Sequence, residues 1–263
     1  MTEHDVEINL LEQTIRKTMT TASGAALDTA LDGLGWADML AEIPDIAVPL
    51  VFRLLGETGA HSAVLNDVVA AEANLPIGET LPLPYSGGSW VLWERSTVAD
   101  ATCLDADLPV RVVDSGSAVP LAGGRRALAW WLVGTSRTML ALARSHALDR
   151  TQFGKPVAGF QAVRHRLAET LVAIEGAEAT LAVANDDLGA LLAKAAAGTA
   201  ARTAARHCQQ VLGGIGFTAE HALQGHIRRA LFLDGLLGSS RELTREAGAI
   251  IRAQGTAPRL AHL

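Results

Sequence analysis

The chain has 263 residues and a mass of 27.5 kDa, enough to bury a substantial core as one large domain or two small ones. Apolar residues make up 49%, charged residues 19% and aromatic residues only 4%, which excludes a disordered chain and implies alanine-lined helices that approach closely. The net charge of −6, without a run of Lys or Arg, excludes a phosphate-tracking stripe and so a nucleic-acid partner.

The opening "MTEHDVEINLLEQTIRK" lacks the basic start and apolar block of a signal peptide, and the longest apolar run, "ALAWWLVG", is far short of a bilayer span. Cys103 and Cys208 stand alone, with neither CxxC pairing nor a disulfide framework. These features predict a cytoplasmic protein in a reducing compartment, without a membrane partner.

From Glu7 to Met19, Ile8, Leu11, Ile15 and Met19 recur at helical spacing, and a second helical stretch, "VPLVFRLLGETG", follows Pro44 and Pro49. Residues 1–75 therefore read as an N-terminal helical region. Over 76–120 Pro and Gly become frequent, and "GSWVLWERSTV" and "LPVRVVD" carry the β-branched and aromatic bias of short strands. From Leu121 the helical signal returns. Phe160, Val163, Leu167, Leu171, Ile174, Ala177 and Leu181 form one stripe, and "LLAKAAAGTAARTAARHCQQVL" offers a small-residue partner helix that "GGIGF" terminates. Residues 121–263 are predicted to form an antiparallel helical bundle.

Between two of these helices the sequence "RTQFGKPVAG" clusters Arg150, Gln152, Phe153, Gly154 and Lys155. An arginine with exposed amides and a glycine suits an anion, because the guanidinium clamps a phosphate while glycine admits the backbone; the alternative is a plain turn with an incidental Arg. "GGIGFT" does not open a dinucleotide-binding fold, since it follows a helix and not a strand.

"RTQFGKPVAGFQAVRHRLAE" followed by "QQVLGGIGFTAEHALQGHIRRA" resembles the paired signatures of the acyl-CoA dehydrogenase family of flavoproteins. The resemblance covers Leu121 to Leu263, and "LDGLGWADMLAE" and "LLGETGA" resemble shortened N-terminal helices of the family. It implies a mainly α fold: N-terminal helices, a reduced middle β segment and a C-terminal four-helix bundle that holds FAD at a subunit interface. Carried over by position, Arg150 and Gln152 would contact the FAD diphosphate of a neighbouring subunit, with Phe153 beside it and Gln161 nearby. Gln210, Gly213 and Gly214 of "QVLGG" would meet the adenosine part.

The family's reaction removes an α-proton and a β-hydride from an acyl-CoA thioester, so a carboxylate must reach the α-carbon. In "RRALFLDGLLGSSRE" the position of the usual Glu is taken by Leu237, and the family's alternate base position falls on Gly124. Asp234 and Glu242 flank Leu237 as displaced candidates, with a surface or helix-end charge as the alternative reading of each. His221 and His226 do not share a helical face, so no metal site is expected. His165 is expected to be packed or hydrogen-bonded in the bundle, Ser136 lies within a helix and not at a nucleophile elbow, and of the adjacent Trp130 and Trp131 one is expected in the core and the other at an interface.

The resemblance thus implies a subunit lacking its own catalytic Glu. Its expected partner is a second acyl-CoA dehydrogenase-family chain that supplies the base, in an α2β2 assembly like those of actinobacterial sterol catabolism, where substrates are steroid (cholesterol-type) side-chain CoA thioesters. Electron-transfer flavoprotein or a similar acceptor would take the electrons. A homomeric flavoenzyme using Asp234 or Glu242, or a non-catalytic structural homolog, are the rival expectations.

Overall fold

A computed structural model describes residues 3–95 and 104–256. The N-terminal region is five helices: α1 (Glu3–Thr21), α2 (Ala25–Gly33), α3 (Trp36–Glu42), α4 (Pro44–Thr58) and α5 (Leu65–Glu72). On α1 the stripe turns Ile15 and Met19 fully inward. Its polar edge is tied to α4 by Arg16 donating to Glu57 at 2.7 Å and Arg53 donating to Glu12 at 3.0 Å. Pro44 sits in the first turn of α4, where its missing N–H has no intrahelical partner to lose.

The middle segment is a three-stranded antiparallel sheet in the order β1 (Pro82–Tyr85), β2 (Ser89–Trp93), β3 (Val110–Val113). The second and third correspond to the stretches read as strands; 96–98 of the longer stretch, and Cys103, lie outside the described residues. The first strand was not legible, because "PLPY" carries two prolines. It is tolerated as an edge strand: Pro84 pairs opposite Trp90 and turns its carbonyl away from β2, where the Leu237 N–H donates to it at 2.8 Å.

The C-terminal part is the expected bundle: α6 (Ala122–Asp149), α7 (Gln161–Ala182), α8 (Asp187–Leu212) and α9 (Ala222–Gly235), with α10 (Ser240–Gln254) packed on the start of α8. Neighbours run antiparallel. His207 near the end of α8 meets Thr170 in the first half of α7 at 3.1 Å, and Lys194 near the start of α8 meets the end of α9. Asp186 caps α8 by accepting from Gly189 N–H at 2.6 Å. Gly213, at φ 63°, closes the other end of that helix.

Helices α4 and α6 cross at Gly56 and Gly134. A Cβ on Gly134 would press into the Arg53 carbonyl, and one on Gly56 into the Trp131 carbonyl. The crossing is therefore backbone against backbone. One continuous apolar core, running from Ile15 to Leu237, takes residues from the N-terminal helices, the sheet and the bundle. Although aromatics are few, they concentrate where the three parts meet: Trp93 packs on Trp131 at 5.5 Å with the rings tilted by 35°, Phe52 sits edge-on to Trp131 at 5.8 Å, and Phe232 bridges Trp93 at 6.0 Å and Tyr85 at 5.5 Å. A buried ion pair, Arg229 to Asp105 at 2.5 Å, also binds the middle segment to α9, and Arg229 donates to the Ala60 carbonyl at 3.1 Å. No helix among the described residues is long and apolar enough to cross a membrane.

Candidate functional site

The segment between α6 and α7 is a two-residue hairpin, β4 (Thr151–Gln152) against β5 (Lys155–Pro156), turning at Phe153 and Gly154. Both turn residues have positive φ, 54° and 77°, as a tight turn of this hand requires; glycine adopts that conformation freely and phenylalanine does so at a cost. Every residue from Arg150 to Pro156 is exposed, and Phe153 is 91% so. Among the described residues the one aromatic ring that Phe153 meets is Phe160, edge to face at 6.2 Å, while Lys155 Nζ lies 4.4 Å above Phe160. A strained, fully exposed aromatic beside an exposed arginine is not explained by packing within its own chain.

Gln161 opens α7 beside the hairpin and is exposed, with its amide 3.4 Å from His165 Nε2. Of the two expectations for His165, packed or hydrogen-bonded, the structure gives the second, with the side chain at the surface. The middle of α7 also leaves part of its apolar stripe uncovered: Leu171 is 43% exposed, whereas Ile174, Ala177 and Leu181 are buried.

Because α7 and α8 are antiparallel, the end of α8 reaches the same end of the bundle. Gln210 and Gly214 are exposed there. A Cβ built on Gly213 or Gly214 would meet nothing within 4 Å, in contrast to Gly56 and Gly134. The bare backbone at Gly214 is not dictated by internal packing, so this end fits the charged, backbone-contacting part of a dinucleotide such as FAD.

The two base positions lie at the opposite end. Gly124 is in the first turn of α6 and Leu237 in the turn after α9, and the structure brings them together: a Cβ on Gly124 would stand 2.9 Å from Leu237 Cδ1 and 2.8 Å from Val69 Cγ2. Leu237 is 1% exposed and holds a φ of 56°, unusual for a side chain of its size. Its carbonyl accepts from Arg125 Nε at 3.2 Å. The space is thus apolar and filled, and the residues there do not fit a substrate and flavin lying beside a base. From Gly124 to Arg150 is 26 residues of one helix and its cap, about 39 Å at 1.5 Å per residue. The residues of the paired signatures singled out above and the two base positions therefore lie at opposite ends of the bundle.

Asp234 is 7% exposed, which corrects the reading of a surface acid; the helix-end reading holds. Its carboxylate accepts from Ser240 N–H at 3.1 Å and Ser240 Oγ at 3.3 Å, at the start of α10, and it packs on Gly198. Below it the fully buried Lys194 donates to the carbonyls of Asp234 at 2.6 Å and Gly238 at 2.8 Å. Burial pushes the Lys194 ammonium down to about 7, against the pull of the Asp234 charge. Glu242 forms a capping box with Ser239 and accepts from Gly87 N–H at 2.9 Å. Hydrogen bonds from the Ser239 side chain, Gly87 N–H and Ser239 N–H hold its carboxyl down at about 2. Both acids have structural duties.

His221 caps α9, accepting from Leu223 N–H at 3.1 Å, and burial pushes His226 down to about 4. No group of three or more metal-ligating side chains occurs among the described residues. Ser136 is buried in α6 and donates to the Leu132 carbonyl at 2.6 Å. Trp131 is fully buried; Trp130 is half-buried and lines a cleft between α3, α4, α5, α6 and α7. Cys208 is a buried thiol pushed up to about 12 by burial. Sequence reasoning missed Lys194, because its partners lie 40 and more residues away and a lone Lys in an alanine-rich helix carries no signal of burial.

A family model, acyl-CoA dehydrogenase C-terminal domain, matches residues 117–251, and the chain belongs to the acyl-CoA dehydrogenase family. It is similar to the acyl-CoA dehydrogenase FadE34 of Mycobacterium tuberculosis, 34% identical over 76% of this chain and 26% of that protein. It is also similar to the acyl-CoA dehydrogenase IpdE2 of the same organism, 38% identical over 43% of this chain and 36% of that one. The chain thus spans about a quarter to a third of the length of these curated relatives. Among solved structures it shares its fold with a variant of the Tcur3481-Tcur3483 steroid ACAD, with a TM-score of 0.73, 18% identity and coverage of 95% of this chain and 99% of that one. The ChsE4-ChsE5 complex of Mycobacterium tuberculosis gives a TM-score of 0.67 at 16% identity, covering 98% and 99%.

Proposed function

We propose that this chain is a subunit of an FAD-dependent acyl-CoA dehydrogenase that lends surface to a partner's flavin site and supplies no base of its own. The observation that carries the reading is the opposite treatment of its two ends. The hairpin end displays Arg150, Gln152, Phe153 and the bare backbone at Gly214 to the outside, while the base end is filled by Leu237 against Gly124 and Val69. A chain that served its own flavin would need the second end open.

In this reading Arg150 neutralises the dinucleotide diphosphate, Gln152 and Gln161 donate amide hydrogen bonds to it, and Phe153 covers its flank. Gln210, Gly213 and Gly214 receive the adenosine half. FAD, when bound, supplies the hydride acceptor. The proton is taken by a carboxylate of a second acyl-CoA dehydrogenase-family subunit, in an α2β2 complex whose electrons pass to electron-transfer flavoprotein or a similar acceptor. Relatives called acyl-CoA dehydrogenases and structural neighbours titled as a steroid ACAD and as a two-protein complex support a steroid side-chain CoA thioester as the substrate class.

The homomeric alternative is disfavoured by a specific feature: the Asp234 carboxylate is engaged by Ser240 at the start of α10, and Glu242 is held in its capping box. The test is a visible absorbance spectrum with a solution mass, on the chain alone and co-purified with a family partner. A colourless isolated chain and a yellow, larger mixed complex are expected. Flavin absorbance and full dehydrogenase turnover by the isolated chain would sink the proposal; a colourless mixed complex would favour a purely structural role.

A further inference from the structure

A second concavity lies at the far end of the bundle from the hairpin. It is a cleft of about 590 Å3 between α3, α4, α5, the start of α6 and the end of α7. On α6 it is lined by Gly123, Arg126 and Trp130, spaced three and four residues apart and so on one face. Gly124 and Trp131, which face the filled base position and the aromatic core, are each one residue further along, about 100° round the helix. The cleft is therefore separate both from the dinucleotide end and from the base position.

Its walls mix apolar side chains, Val48 from α4 and Leu181 from α7 among them, with polar ones. Among its polar groups, Glu72 is committed, its carboxylate accepting from Gly123 N–H at 2.8 Å at the start of α6. The Arg126 guanidinium is not: it has neither a hydrogen bond nor an ion pair among the described residues, so neither Glu72 nor Asp45, which also line the cleft, lies within ion-pair distance. The half-buried Arg126, without an ion-pair partner among the described residues, shares one face of α6 with the half-buried Trp130, with Val48 and Leu181 on the walls around them, and this matches a ligand with an apolar body and an anionic end. The two carboxylates on the same lining oppose any anion and a multiply charged one such as phosphate most, so a single carboxylate held at Arg126, away from them, is the largest anionic charge the cleft suits.

We propose that this cleft binds an amphipathic monocarboxylate, an apolar chain or ring system bearing one carboxylate, which Arg126 pairs while Trp130 and Val48 hold the body. The site depends on nothing in the flavin reading, and the isolated chain, with or without flavin, is expected to show it.

Calorimetric titration of the purified chain tests it, with decanoate as a chain-bodied acid, cholate as a ring-bodied acid and decanol as the uncharged control. At least one acid is expected to bind in preference to decanol, and the stronger acid identifies the body the cleft takes. Arg126→Gln is expected to weaken that binding by about tenfold or more, the loss of one charge-assisted contact. Ala182→Trp, on an exposed wall residue, is expected to abolish it, with melting temperatures of both variants close to that of the parent. The proposal is overturned if neither acid binds, if decanol binds as well as decanoate, or if the Arg126→Gln chain, still folded, binds as the parent does. The comparison with decanol needs no variant and decides the matter even if a substitution disturbs folding.

Discussion

Glu242 illustrates how far one side chain's environment decides its role. From sequence it stood five residues beyond Leu237 as a possible displaced base, yet three donors surround its carboxylate: Ser239 Oγ, Ser239 N–H and Gly87 N–H. Hydrogen bonds to the charged form lower a carboxyl, here from 4.5 to about 2. A depressed carboxyl contributes stability that is fully present above its unfolded value and is lost as the pH falls through the folded one. The contribution of Glu242 is thus expected to be intact above pH 4.5 and to fade towards pH 2. Glu242→Gln keeps the shape but not the charge, so its stability deficit, read from denaturant midpoints, is expected near neutral pH and should shrink towards pH 2. A deficit independent of pH would mean that the charge contributes nothing. Asp234 teaches the complementary lesson. Its acid type and place near Leu237 were legible, but its burial was not, because Lys194 and Ser240 come to it from other helices.

At the scale of elements, the long helices were legible because their apolar residues repeat every three or four positions, and the break between α6 and α7 because Arg, Gly and Pro interrupt that repeat, although its hairpin pairing was not. The strand β1 was not, since its prolines argue against a strand until the edge position and the donor from Leu237 are known. Nor was the burial of α7 uniform along its stripe, because the stripe predicts a partner surface but not which chain provides it. The crossing of α4 and α6 gives the sharpest element-scale test. Gly134 meets the Arg53 carbonyl so closely that a methyl group forces the two helices apart, and neither backbone can yield as a side chain would. Gly134→Ala is expected to cost about 3 kcal/mol or more in chemical denaturation, by overpacking against backbone. Gly214→Ala, with open space around it, is expected to leave the fold unchanged within about 0.5 kcal/mol while weakening flavin retention in the mixed complex. Equal losses of stability in the two variants would refute the contrast between a packing glycine and a ligand-facing one.

For the whole molecule, the filled base position makes a prediction that a simple loss of one Glu does not. If the chain were a dehydrogenase disabled only by the missing carboxylate, Leu237→Glu would restore it. The geometry argues otherwise. Leu237 is 1% exposed, faces Gly124 and Val69, and sits in a left-handed turn whose carbonyls are held by Arg125 and, at Gly238, by Lys194. A carboxylate turned onto Gly124 and Val69 as the Leu237 side chain is would be buried against apolar groups, while the nearby Arg125 and Lys194 are already engaged by the turn's carbonyls; it would cost about 3–5 kcal/mol if charged, or would stay protonated and useless as a base at neutral pH. The outward-facing hairpin lies about 39 Å away along α6 and cannot bring a cofactor to it. Leu237→Glu is therefore expected to lower the thermal midpoint by several degrees, to yield no turnover with any acyl-CoA, alone or beyond that of the parent mixed complex, and to leave the flavin content of that complex unchanged. New turnover by the isolated variant would show that the base position opens on its own and that the division of labour between two chains is not built into this fold.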